Sequence, residues 1–145
     1  MPAWQSVGTH RSCVEGNLFV MELHGSIGLT ELAELLLPQE QLLAQYTSVL
    51  TLCDARDASM PSPEVRKFLA ERGKRIDTQR LYSVVITGSL LLRTMVQLVE
   101  RAALLISGTP LRTAFVGCEA EAWKWVDASR QMHPPQRRSA DGVER

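Results

Sequence analysis

From Asn17 to Ala128, apolar runs that read as strands alternate with amphipathic runs that read as helices. The first pair of strands is His10 to Val14 and Leu18 to His24. Glu15, Gly16 and Asn17 join them, and Gly and Asn accept positive φ at little cost, so a β-hairpin is expected to open the domain. Thr30 is placed to cap the helix that follows, with Glu31 and Glu34 in the first turn, where the helix dipole favours negative charge. Leu32, Leu35, Leu36, Leu43 and Tyr46 recur at helical spacing and define its buried stripe. Pro38 has no amide hydrogen and its ring clashes with the preceding turn, which predicts a kink or a restart.

Ser48 to Cys53 is short and nearly all apolar, the pattern of a central strand covered on both faces. Ser62, Pro63 and Glu64 supply an N-cap, a first-turn proline and a first-turn acid, and Val65, Phe68 and Leu69 the buried face of a second helix that ends at Gly73. Leu81 to Ile86 is the next central strand. Gly88 and Ser89 lead into the longest helix, Leu90 to Ile106, where Arg93, Gln97, Glu100 and Arg101 mark a narrow polar edge. Leu91, Leu92, Met95, Val96, Val99, Ala102 and Ala103 cover most of the rest, so burial on more than one side is expected. Gly108, Thr109 and Pro110 break that helix, Leu111 to Val116 is a third parallel strand, and Glu119 to Ala128 a last helix facing inward through Ala122, Trp125, Val126 and Ser129. Beyond Gln131 no apolar period survives, and the segment cannot repay ordering entropy. The expected organisation is one domain over residues 1–130 and a disordered tail over 131–145.

A chain of 145 residues fits a single α/β domain with a sizeable core. Sixteen Lys and Arg balance sixteen Asp and Glu, so no global field draws the protein to nucleic acid or an anionic membrane. Residues 1–55 carry one basic and six acidic side chains and residues 56–145 carry fifteen and ten, so the halves stand at −5 and +5. Such halves can pair within the fold or with a second copy. The three cysteines, Cys13, Cys53 and Cys118, are widely spaced without a metal-binding pattern and read as reduced cytoplasmic thiols. The first residues lack the basic start and apolar run of a secretory signal, and no apolar stretch reaches the roughly 18 to 20 residues that cross a bilayer.

The order hairpin, helix, strand, helix, strand, helix, strand, helix resembles the SpoIIAA-like branch of the STAS superfamily. The residues that carry the likeness are Leu18 to Gly25 (LFVMELHG), Val49 to Arg56 (VLTLCDAR), Leu81 to Arg93 (LYSVVITGSLLLR) and Phe115 to Val126 (FVGCEAEAWKWV). It implies a single mixed, mostly parallel sheet opened by the hairpin and flanked by about four helices. It also implies an interaction module without chemistry of its own, in some members switched by phosphorylation, with a fold similar to that of CRAL-TRIO lipid carriers. STAS antagonists carry a phosphorylated Ser in an Asp-Ser-Ser/Ala-Gly stretch after the second core strand. The corresponding stretch here, Asp54 to Ser62 (DARDASMPS), offers Ser59 and Ser62 without that motif, and Ser62 before Pro63 also reads as a helix cap.

No nucleophile elbow, phosphate-binding loop or metal-ligand spacing occurs, so neither a catalytic residue nor a metal or other cofactor is expected. Asp54 and Asp57 fall at the carboxyl end of a parallel strand, where open α/β sheets collect ligands, although Asp there also shapes turns. Trp123 falls off the inward face set by Trp125, and an exposed Trp is enriched at interface hot spots. Asp54, Asp57, Ser59, Ser62 and Trp123 are therefore the candidates for a partner-binding or phospho-switch surface. Leu36, Leu91, Met95 and Val99 are the candidates to line a slot for an apolar ligand between the first and long helices, or are simply core. The sequence thus predicts a non-enzymatic module that binds a protein partner or itself, or, alternatively, a carrier or sensor of a lipid or other apolar ligand.

Overall fold

A computed structural model describes residues 3–108 and 112–139. Its strands form one six-stranded sheet in which spatial order follows chain order: β1 (Gln5–Val7), β2 (His10–Glu15), β3 (Leu18–Gly25), β4 (Val49–Ala58), β5 (Leu81–Ile86) and β6 (Arg112–Val116). The first two pairings are antiparallel and the last three parallel. Three helices make the parallel crossovers, α1 (Leu29–Gln45), α2 (Pro63–Arg72) and α3 (Leu90–Ser107), and α4 (Glu119–Met132) follows the last strand. The expected architecture is thus present: a mixed α/β sheet opened by a hairpin and flanked by four α-helices.

Because the strand order never reverses, crossovers of one hand return on one side of the sheet. Phe19, Val49 and Leu81 pack with Leu32, Leu36 and Leu43 of α1 and Val65 of α2, and Cys53 and Val85 with Leu92 of α3. The alternate residues, Leu18, Val20, Leu50, Leu52, Val84 and Ile86, pack on the other side with Ala122 and Val126 of α4. The strand period of two therefore sends odd and even positions of β3–β5 to two different cores. Both faces are covered, which is why these strands read as unbroken apolar runs.

Several elements differ from the sequence reading. β1 is too short and polar to show in the pattern. β4 continues to Ala58 because β3 keeps pairing with it past a register shift between Glu22 and His24. α1 is one helix through Pro38. The carbonyl that Pro38 leaves without a donor belongs to exposed Glu34, where water can serve it, and buried Leu35, Leu36, Gln39, Leu42 and Leu43 hold both halves to the core. The helix is capped at Gly28 rather than Thr30, with Glu31 Oε1 accepting the Gly28 N–H at 3.2 Å.

α3 departs most. Among its described residues only Leu92, Val99 and Ala103 are buried, whereas Leu91 is 61% and Leu105 87% exposed, so the helix is covered on one side and not on several. Among the residues expected to form a tail, Gln131 and Met132 complete α4. Thr47 N–H then donates to the Gln136 carbonyl at 2.8 Å and Arg138 N–H to that of Gln45 at 2.8 Å, and His133 stacks on Tyr82. Thr109, Pro110, Leu111 and residues 140–145 lie outside the described residues. The opposed charges of the two halves meet inside the fold, with Arg72 and Arg75 at Glu40, Arg130 at Glu15 and Arg56 at Asp54.

His10 anchors the entry to the first crossover. It is 1% exposed, its Nδ1 accepts the His24 N–H at 3.0 Å, and its Nε2 lies 3.0 Å from the Ser26 carbonyl. An amide can only donate and a carbonyl only accept, so the ring is held with its proton on Nε2. We predict that His10→Ala, which strands both backbone groups, lowers unfolding free energy in urea by about 1–3 kcal/mol. A loss below about 0.5 kcal/mol would contradict this role.

Candidate functional site

Under α1–α3, the floor of the helix layer is a sequence of transverse rows set by strand register. Thr51, Ser83 and Thr113 stand side by side across β4, β5 and β6, and the next row on that face is Cys53, Val85 and Phe115. The first row is hydroxyl-bearing and the second apolar. Between this floor and the helices lies a cavity of about 220 Å³.

The cavity changes character along the strands. Toward their carboxyl ends it is walled by Leu23, Ala55, Val85 and Leu92, with Ser59 and Pro61 nearer solvent. Toward their amino ends the walls include Gln39, Thr51, Arg72, Thr78 and Ser83, with Glu100 and Thr113 from the α3 side. Gln39 Nε2 donates to Thr51 Oγ1 at 2.7 Å, and its Oε1 accepts from Arg72 Nη2 at 2.7 Å, so α1 orders a guanidinium supplied by the end of α2. Arg72 is 7% exposed. Its Nε has no hydrogen-bond partner among the described residues and lies 3.6 Å from Glu40 Oε1, a carboxylate that also faces Arg75 Nη1 at 3.4 Å.

Burial pulls the Arg72 pKa down to about 10, with Glu40 opposing the shift and Arg75 adding to it, so the group is a cation at neutral pH. Glu100 is pushed the other way. Burial raises its carboxyl above the usual range against a hydrogen bond from Thr113, and its Oε1 has no partner among the described residues. Thr78 Oγ1, in a residue 1% exposed, is unpartnered as well. These are polar groups left unsatisfied in a mostly apolar chamber, and each costs free energy until something meets it.

The sequence candidates separate into several places. Leu36 and Val99 line the cavity, whereas Leu91 faces solvent, and Met95 lies outside the lining with its Sδ 2.9 Å from Arg66 Nη1. Ser59 is at the cavity rim, and its N–H bonds the Gly25 carbonyl. Ser62 caps α2, its Oγ accepting the Val65 N–H at 3.2 Å. Asp57 is exposed, with its Oδ2 3.4 Å from His24 Nδ1. Asp54 is on the α4 side of the sheet, one strand position away from the cavity face, and bonded by Arg56 Nε at 2.9 Å and Nη2 at 2.7 Å. Those bonds hold its carboxyl below the ordinary range.

Arg56 reaches Glu119 at 3.8 Å, and Glu119 accepts from Trp123 Nε1 at 3.4 Å, so Asp54 and Trp123 belong to one polar chain. Trp123 is half-buried against the α4 core, not exposed as its helical phase suggested, because Trp125 and Trp123 both fold over the same cluster. The sequence reading missed Gln39, Arg72, Glu100 and the hydroxyl row. The available signal was a single Thr or Ser inside two otherwise apolar strands, Thr51 in β4 and Ser83 in β5.

The crossover pattern defines an α/β sheet wound in one direction, with three helices on one face. The chain has a SpoIIAA-like fold, as the resemblance implied. A protein of known structure from Shewanella loihica PV-4, described as an uncharacterised member of the DUF3478 family with a SpoIIAA-like fold, matches it with a TM-score of 0.52. The two are 14% identical, and the match covers 86% of this chain and 91% of that one. No family model and no curated protein matches the sequence. Among the described residues, no helix is long and apolar enough to cross a membrane.

Cys53 reports on the closure of the chamber. Burial, reinforced by Asp54, pushes its thiol up to about 12, while Cys118 is exposed. We predict that iodoacetamide at neutral pH modifies Cys118 in the native protein and reaches Cys53 only after denaturation, as read by peptide mass spectrometry. Native labelling of Cys53 as fast as Cys118 would show the chamber to be open.

Proposed function

We propose that the protein is a non-enzymatic, cytoplasmic binding module that holds a small, largely apolar ligand between α1–α3 and the sheet. The observation that carries this reading is the cavity of about 220 Å³, walled by Leu36, Leu92 and Val99 and bordered by a few converging polar groups. A dry cavity of about 150 Å³ is enough to take up benzene, so the space suits a ligand somewhat larger than that and well short of a two-chain lipid. The polar lining supports recognition rather than turnover: Gln39, Arg72 and Thr51 bond one another, and no nucleophile in that set is paired with a base. Asp54, the candidate that offered chemistry, is occupied by Arg56.

A second reading, docking of a protein partner or a second copy of the chain, is favoured by α3. Leu91, Leu98 and Leu105 recur every seventh residue on its exposed side, which aligns them in a stripe along the helix. Native mass spectrometry of protein taken gently from cells separates the readings. Ligand binding predicts a monomer carrying one small organic mass, lost in Val99→Phe, whose ring fills the cavity. A dimer or a hetero-complex without any added small mass would favour the α3 surface and contradict the cavity reading.

A further inference from the structure

The cavity has two chemically different ends, and the difference specifies the ligand. Its floor passes from the hydroxyl row of Thr51, Ser83 and Thr113 to the apolar pair Cys53 and Val85, one strand repeat further on. Beyond the apolar row stand Leu23, Ala55 and Leu92. Above the hydroxyl row stands Arg72, whose guanidinium is buried yet incompletely satisfied. Nη2 is spent on Gln39, and Nε has no hydrogen bond among the described residues. The nearest carboxylate, Glu40, is divided between Arg72 and exposed Arg75 and approaches Arg72 no closer than 3.6 Å. A buried cation in this state favours an anion that can present two oxygens to its fork.

Resting on the reading of the cavity as a ligand site, we propose that its ligand is a linear aliphatic monocarboxylate, with the carboxylate on Arg72 and the chain over Cys53 and Val85 toward Leu92. Volume sets the chain length. Scaled from the roughly 150 Å³ that accepts the six carbons of benzene, the cavity of about 220 Å³ admits about eight or nine heavy atoms, the size of a carboxylate with about six carbons in all. Charge sets the head. Glu40 and Glu100 flank the polar end beside Arg72, and Arg112 also lines the cavity, so a monoanionic head meets cations without the added repulsion from the two carboxylates that a dianionic phosphate carries, and an alkylammonium head meets Arg72 directly. Thr78 Oγ1 is an additional group at the same end with no partner among the described residues.

The test is a chemical-shift titration of the full-length protein with hexanoate, 1-hexanol and hexylamine at neutral pH. These probes share one chain and differ in head charge. Hexanoate is expected to bind about tenfold or more tightly than 1-hexanol, the ratio of a charge-assisted pair to a neutral hydrogen bond, and hexylamine not to bind. In Arg72→Gln the preference for hexanoate should fall to about threefold or less. Should that variant fail to fold, the wild-type series decides alone. Equal affinity for hexanoate and 1-hexanol would overturn the carboxylate assignment and leave the cavity reading standing, and the same holds if hexylamine binds best. Failure of all three to shift any cavity residue would overturn the cavity reading itself.

Discussion

The architecture depends on one constraint: four parallel neighbours laid down in chain order, so that every crossover returns on the same side of the sheet. A sheet that reverses direction shares its helices between two faces, and its ligand crevice forms at the reversal. Here there is no reversal. Three helices crowd one face, α4 packs on the other, and the cavity lies in the layer between helices and floor rather than at a reversal of the strand order. The location of the cavity thus follows from topology before any side chain is considered.

Given that location, side chains decide what the layer can hold. The floor alternates by row, and the helices above it contribute opposed signs, Arg72 from the end of α2 and Glu100 from α3. Gln39, the residue directly after the Pro38 expected to kink or restart α1, ties the guanidinium to the floor. An apolar core of the same shape would be easier to satisfy, since buried charges are costly unless fully paired. Retaining an under-bonded cation at one end of an otherwise apolar chamber makes sense if a ligand completes the pairing, whereas the α4 side, with Asp54 and Arg56 bonded to each other, offers no such vacancy.

Much of this fold was legible in the sequence because the strands are covered on both faces and so appear as short apolar runs with sharp ends. Leu81 to Ile86 was read with its observed bounds, and Ser62 with Pro63 marked the start of α2. Features that failed to show have specific reasons. β1 is short and polar, and it exists because β2 pairs with it. The continuation of β4 through Asp54 and Arg56 is imposed by β3. α3 misled because its leucines occupy the exposed side as well as the buried one, so composition did not distinguish the faces. The site was least legible: Gln39, Arg72 and Glu100 lie on three helices and converge only through the crossovers. Leu36 and Val99 were found because helical phase alone points them inward, while Leu91, only one helical step from buried Leu92, was not distinguishable from it.

The polarity of the chamber runs along the strands, with charge at the hydroxyl row and apolar surface beyond it. The most direct measurement is a set of intermolecular NOEs between bound hexanoate and protein methyl groups. Contacts are expected from the terminal methyl of the chain to Val85 and Leu92, and from the carbon next to the carboxylate to Thr51 and Thr78. Contacts in the reverse order, or only to Leu98 and Leu105 on the outer side of α3, would contradict this polarity.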